Sequence, residues 1–239
     1  TGHEYDDAFV VWDWTRVPGT TAVANQSTAD LRWYLFGSNQ FGGGVSNAHN
    51  GVMAYEHAYQ GVEARKAYFF MGDAMVCMGS GIKAARTQEV RTSVNQCLAN
   101  GEVTYGLSGH TYRLTNNLSD KNIDWAYHDN VGYIFPQNES VTLRKAKQTG
   151  AWRELEVTAS DKPVTKEIFS LWVSHGTTPQ HEDYCYIIMP DKPLSYFTDK
   201  KFENEIKIIV NSEQIQAISN ENKRQYAAVF YEPGEIRFA

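Results

Sequence analysis

Short apolar runs recur along the chain with polar turns between them, at the spacing of strands rather than helices. Ala67-Tyr68-Phe69-Phe70 and Ala74-Met75-Val76-Cys77-Met78 flank Met71-Gly72-Asp73, which predicts a hairpin whose strands are covered on both faces. Further strands are predicted at 103–105, 131–135, 168–173 and 184–189, then at 205–210, 214–218, 227–231 and 235–238. Turn chemistry separates them at Asn100-Gly101, Pro136-Gln137-Asn138, Thr149-Gly150, Pro179, Pro190-Asp191 and Pro233-Gly234. Residues 84–99 carry helix formers, but Val90, Thr92 and Val94 alternate, so a strand is expected there. Residues 195–203 read as a short surface helix or turn. With no alternation of strands and helices anywhere, the expected fold is all-β, a large antiparallel β-sandwich built as one domain over 1–239.

Composition changes this picture little. The hydrophobic share of 42% is ample for a packed core in 239 residues. A net charge of −6 argues against a nucleic-acid partner or any general polyanion surface, while leaving room for an acidic polymer in one locally basic groove. No apolar run reaches the roughly 18 residues of a membrane-spanning helix, so no membrane partner is expected. Cys77, Cys97 and Cys185 lie far apart without a C-x-x-C pair and read as buried thiols, with a single disulfide left open. The chain begins Thr1-Gly2-His3 and ends inside an expected strand, as a piece of a longer protein would.

The chemistry-bearing residues cluster near the amino end. Trp12, Trp14, Trp33 and Tyr34 offer flat faces that stack on the C–H face of a pyranose, and Arg16 or Arg32 can hold a uronate carboxylate or a sulfate. The structural alternative is that one of the alternating Trp12 and Trp14 is a core residue. Gly42-Gly43-Gly44 lacks the GK[ST] of a phosphate loop and reads as a strand-side run that lets two backbones approach closely. The seven histidines show no HExxH or comparable metal spacing, and no G-x-S-x-G nucleophile elbow occurs.

Taken together, the segments resemble polysaccharide lyase family 8, the chondroitin AC, hyaluronate and xanthan lyases. The resemblance is carried by Glu4-Tyr5 with Trp12-Asp13-Trp14 and Pro18-Gly19-Thr20-Thr21, by Phe41-Gly42-Gly43-Gly44-Val45-Ser46, and by Ala64-Arg65-Lys66-Ala67-Tyr68-Phe69-Phe70. It continues through Val76-Cys77-Met78-Gly79-Ser80-Gly81-Ile82, Thr92-Ser93-Val94-Asn95-Gln96, Trp125 with His128-Asp129 and Val131-Gly132-Tyr133, and Phe169 with Trp172 and His175-Gly176. What it implies is the central antiparallel supersandwich of a bacterial, secreted or periplasmic lyase. The α/α-toroid bearing the tyrosine acid/base and a smaller C-terminal β domain would lie outside this chain.

The resemblance further implies a catalytic role for Glu4, from the Glu-Tyr-x-Asn segment of the family. Asp7 takes the place of that asparagine in the substrate-binding set, where its charge would need a cation or proton beside it. Trp12, Trp14 and Arg16 complete the expected substrate contacts. Some members hold calcium near the glycine block, but Ser38, Asn39 and Asn47 offer neutral oxygens only, so no metal or other cofactor is expected. The expected function is the cleft wall of an enzyme that splits an acidic, uronic-acid-containing polysaccharide by β-elimination. A non-catalytic carbohydrate-binding module is the rival.

Overall fold

Long strands with alternating side chains make two-sided sheets, and the computed structural model, which describes residues 8–24 and 39–238, stacks them in layers. Among the described residues the strands form three antiparallel sheets. The first has the order β1 (Thr21–Val23), β6 (Glu89–Leu98), β13 (Val164–Thr177), β12 (Ser140–Gly150) and β9 (Leu118–Asp120). The second begins with β2 (Gly42–Ser46), β3 (Asn50–Tyr59), β4 (Val62–Met71), β5 (Ala74–Ala84) and β14 (Glu182–Pro190). It continues with β11 (Val131–Ile134), β10 (Ile123–His128), β7 (Thr104–Leu107) and β8 (His110–Arg113). The third is β15 (Lys207–Asn211), β16 (Ile215–Asn220) and β17 (Gln225–Phe230).

The second sheet is the middle layer. One face meets the first sheet through Val62, Cys77, Ile82, Tyr133 and Tyr186 packed on Val90, Val94, Leu143, Phe169 and Leu171. The other buries Ala67, Phe69, Val76, Met78, Ile187 and Met189 against Ile218 and Val229 of the third sheet. A short helix, α1 (Leu194–Thr198), covers the rest of that face, its buried Phe197 ring 6.0 Å from Trp125. Burial on both faces explains why 67–78 reads as nearly continuous apolar sequence.

Most strand expectations hold, with longer elements than expected: the hairpin runs from Val62 to Ala84 about a Gly72-Asp73 turn. The stretch 84–99 is a strand from Glu89 to Leu98, and 195–203 falls in α1 followed by a 3-10 turn at Lys201–Asn204. The strand expected at 235–238 is absent, because no neighbouring strand pairs with it after Pro233-Gly234. The three cysteines are free thiols, with Cys77 and Cys185 buried and Cys97 partly so.

Candidate functional site

Residues 8–20 form a strap across the outer face of the first sheet. Val10 and Val11 pack on Ile168, which alternates with the inward-facing Phe169. Two glutamines on that face fix the strap's backbone. Gln96 accepts from Asp13 N at 2.9 Å and donates to Asp13 O at 3.1 Å, and Gln148 donates to Val11 O at 2.8 Å. Gly19 and Thr20 then exchange backbone hydrogen bonds with Ser93, leading the chain into β1.

The strap displays the aromatic residues the sequence singles out. Phe9, Trp12 and Trp14 form one cluster, with Trp12 and Trp14 centroids 5.7 Å apart. Trp12 is partly buried and Trp14 is 36% exposed, so neither is a core residue. Arg16 is placed differently: its side chain is only 11% exposed, its Nε lies 2.9 Å from Asp13, and its guanidinium sits over the Trp172 ring at 5.0 Å. Arg91 stacks on the same ring at 4.8 Å and pairs with Glu89. Burial lowers the Arg16 pKa, and although burial would raise Glu89, its bonds from Arg91 and Ser174 hold it below the usual carboxylate range. Glu4, Asp7, Arg32, Trp33, Tyr34 and Ser38 lie outside the described residues.

Beneath the point where the strap becomes β1, the seam between the first two sheets turns polar. Lys66 on β4 is wholly buried and donates from Nζ to the Gly19 carbonyl at 2.5 Å, with the Tyr68 hydroxyl on the same oxygen at 3.3 Å. The Tyr55 and Tyr184 rings lie 6.0 and 5.9 Å from the ammonium. Burial pushes the Lys66 pKa down to about 7, while the tyrosines around it are raised by the same desolvation. Deeper in the seam Thr21, Thr92 and His175 form a chain of 2.8 Å hydrogen bonds, and burial with the Lys66 charge takes His175 down to about 3.

Depressions open along the margin of the middle sheet. One, about 490 Å³, follows the glycine-rich edge β2 and is lined by Met53, Tyr55 and Phe70. A Cβ on Gly44 would stand 2.6 Å from the Val52 carbonyl, so this glycine is required for the close approach of β2 to β3, as the sequence suggests. A second groove, about 310 Å³, is lined by Glu56, His57, Arg65, Lys83 and Glu213. The third, about 120 Å³, lies between the strap, β1 and the β3–β4 hairpin, with Trp14, Thr20, Val23, His57, Tyr59 and Val62 in its walls. His57 borders the last two. Sequence reasoning weighed it only as a metal ligand; the signal was the alternation Tyr55, His57, Tyr59, which places three rings on one face of β3. Among the described residues no group of three or more His, Cys, Asp or Glu side chains is gathered to hold a metal ion, and no described helix is long and apolar enough to cross a membrane.

Comparison with known proteins places this architecture. Residues 1–201 match the family model described as polysaccharide lyase family 8, super-sandwich domain. Chondroitinase-AC of Pedobacter heparinus is 33% identical over 245 residues, covering 100% of this chain and 34% of that protein. A solved chondroitinase AC lyase structure superposes with a TM-score of 0.89 at 29% identity, covering 100% of this chain and 36% of that one. The chondroitin AC lyase of Streptomyces coelicolor A3, solved with chondroitin sulphate, gives a TM-score of 0.77 at 25% identity over 98% of this chain and 31% of its own. The chain thus spans about a third of the length of the relatives it matches.

Proposed function

Because the chain belongs to polysaccharide lyase family 8, we propose that it forms one wall of the substrate cleft in an enzyme that cleaves a uronic-acid-containing polysaccharide by β-elimination. The observation that carries this reading is the agreement of the described fold, end to end, with a chondroitinase AC lyase. The substrate class is a glycosaminoglycan such as chondroitin or hyaluronan, met outside the cytoplasm because such polymers do not cross a membrane intact. In the reaction a base removes the proton on the carbon next to the uronate carboxylate. The electron pair left behind forms a C=C bond as the glycosidic C–O bond breaks, and an acid returns a proton to the departing oxygen. Neutralising the carboxylate stabilises the enolate-like transition state, and a tyrosine outside this chain serves as base and acid.

This chain contributes the stacking surface of Trp12 and Trp14, the margin of β3, and Glu4. Glu4 acts by orienting a cationic or imidazole group of the missing domain rather than by carrying a proton. Arg16, engaged with Asp13 and Trp172, shapes the strap and reaches substrate only if that pair opens.

The test is the near-ultraviolet absorbance of unsaturated product formed from chondroitin and hyaluronan. The full-length protein is expected to produce it and the 239-residue chain alone is not. In the full-length protein Glu4→Ala is expected to lower kcat by about 100-fold or more with little change in KM, the loss typical of one preorganised group. Robust elimination by the isolated chain would overturn this division of labour. Tight oligosaccharide binding by the full-length protein with no product on any uronic polymer would favour the non-catalytic module instead.

A further inference from the structure

The depression along β2 does not stop at the edge of the middle sheet. It meets a groove of about 610 Å³ that opens on the third-sheet side, away from the strap. The two share Val45, Gly51, Val52 and Phe70, so one path bends around the edge strand, and each part falls within the ~300–1,000 Å³ of ligand clefts. Two rings border the groove. Phe70, 44% exposed, lies against its cross-strand partner Gly51, and Tyr226, 46% exposed, is braced by Phe238 with the centroids 4.9 Å apart. Beside them Asn47 Oδ1 accepts from Asn50 N at 2.8 Å, and Asn50 Oδ1 accepts from Gly72 N at 3.2 Å. Those bonds fix both amides and leave each Nδ2 a donor with no partner among the described residues. Arg224 is exposed, makes no ion pair among the described residues, and is the one charged residue in the lining. In a chain of net charge −6, no carboxylate borders either part of this path, whereas the groove at Arg65 carries Glu56, Glu63 and Glu213.

We propose that this groove binds a stretch of an acidic polysaccharide, with sugar C–H faces on Phe70 and Tyr226, the acidic group on Arg224, and ring oxygens or hydroxyls on the two asparagine amides. It gives a long polymer a hold on the side of the sheet opposite the strap. A nucleic acid carries a phosphate at every residue and calls for several cations along its track. One arginine between two rings suits a chain whose acidic groups are spaced by whole sugars. The inference goes beyond the lyase reading and rests on it only for the choice of polymer.

The experiment measures unsaturated product made by the full-length protein from long chondroitin and from a chondroitin tetrasaccharide. Arg224→Glu, at an exposed position, is expected to raise KM for the long polymer about tenfold, and Tyr226→Ala a few-fold. In both variants kcat and the tetrasaccharide KM should stay as in the wild type, and Arg224→Lys should keep most of the affinity. Added salt should bring the wild-type KM for the long polymer up toward that of Arg224→Glu. Equal KM values for wild type and both variants on the long polymer would overturn the groove while leaving the lyase reading intact. A parallel rise on polymer and tetrasaccharide would also overturn it, since the loss would then not depend on chain length. If neither substrate is eliminated the lyase reading falls, and migration in a native gel cast with chondroitin decides the groove. Retardation that is lost in Arg224→Glu supports it; equal retardation of wild type and variant overturns it.

Discussion

The two faces of the middle sheet are built to different rules. Toward the third sheet it presents Ala67, Phe69, Met71, Val76, Met78, Ile187 and Met189, a mostly apolar surface whose polar contacts are confined to β5 and β14, where Ser80 donates to Ser212 O and Asn211 to Gly79 O and Tyr184 O. Toward the first sheet and the strap the same strands present Tyr55, His57, Lys66, Tyr68, Tyr184 and Tyr186 amid aliphatic side chains. An apolar face holds a layer in place without specifying how far it slides, because dispersion and solvent exclusion are not directional. A buried donor such as Lys66 Nζ penalises every arrangement that leaves it unpaired, so it fixes one backbone atom, Gly19 O, and with it the start of the strap. The lesson is a division of labour across one sheet: one side laminates, the other registers a binding strap.

The sharpest way to break this comparison is to damage each side and look for different consequences. Phe69→Ala on the laminating face should cost about 3–5 kcal/mol, the usual loss for a buried phenylalanine, read as a fall in the urea midpoint. Tryptophan fluorescence of the strap in the folded state should stay unchanged. Gly150→Ala acts on the strap instead. A Cβ there would lie 1.9 Å from the Val10 carbonyl, so the strap must lift from the first sheet. The expected cost is about 1–3 kcal/mol, accompanied by a change in fluorescence from Trp12 and Trp14. An unchanged spectrum would mean that the strap is not held where it crosses β12.

The sequence exposes the laminating side far better than the registering side, for a physical reason. Strands buried on both faces, such as those around Phe69 and Ile187, appear as apolar runs bounded by turns, and those were found. β12 was missed because Arg144, Lys145 and Lys147 interrupt its pattern while Val141 and Leu143 alone mark its inward face. β3 was missed because a strand at the margin of a sheet carries a mixture of Tyr55, Glu56, His57 and Ala58. The over-read strand at 235–238 shows the converse: Ile236 and Phe238 alternate correctly, but a ladder needs a partner that local pattern cannot supply. The tryptophans were legible as a sugar-facing surface because they crowd together in sequence. The contact of Arg16 with Trp172 was not, since it joins segments brought together only by the sheet.

Lys66 and Glu139 let the registering side be read by pH. With its folded pKa near 7 and an unfolded value of 10.5, Lys66 binds fewer protons in the folded chain than in the unfolded one across that interval. Stability therefore rises with pH over the window. Lys66→Met keeps the volume and removes the titration, so the wild type should gain on the variant between pH 7.5 and 9.5, below the range of tyrosine ionisation. Urea midpoints at those two pH values check it. Parallel slopes would show that Lys66 is not held as a buried, destabilised cation.

Glu139 should give the opposite sign. It precedes β12 and reaches across the seam to accept the Cys185 N–H at 2.9 Å, the residue as a whole being 7% exposed. Burial lifts its pKa from 4.5 to about 8, against the pull of that hydrogen bond. Between those values the folded chain keeps a proton that the unfolded chain releases, so this group's contribution to stability declines as pH rises from about 4.5 to 8. Glu139→Gln retains an acceptor for the Cys185 N–H without the titration, and its Tm relative to wild type should climb from pH 5 to pH 8. Opposite trends at Lys66 and Glu139 would tie the pH response to the seam between the first two sheets. A Tm difference that stays constant from pH 5 to 8 would mean that water reaches Glu139, and the seam would then be open at β14.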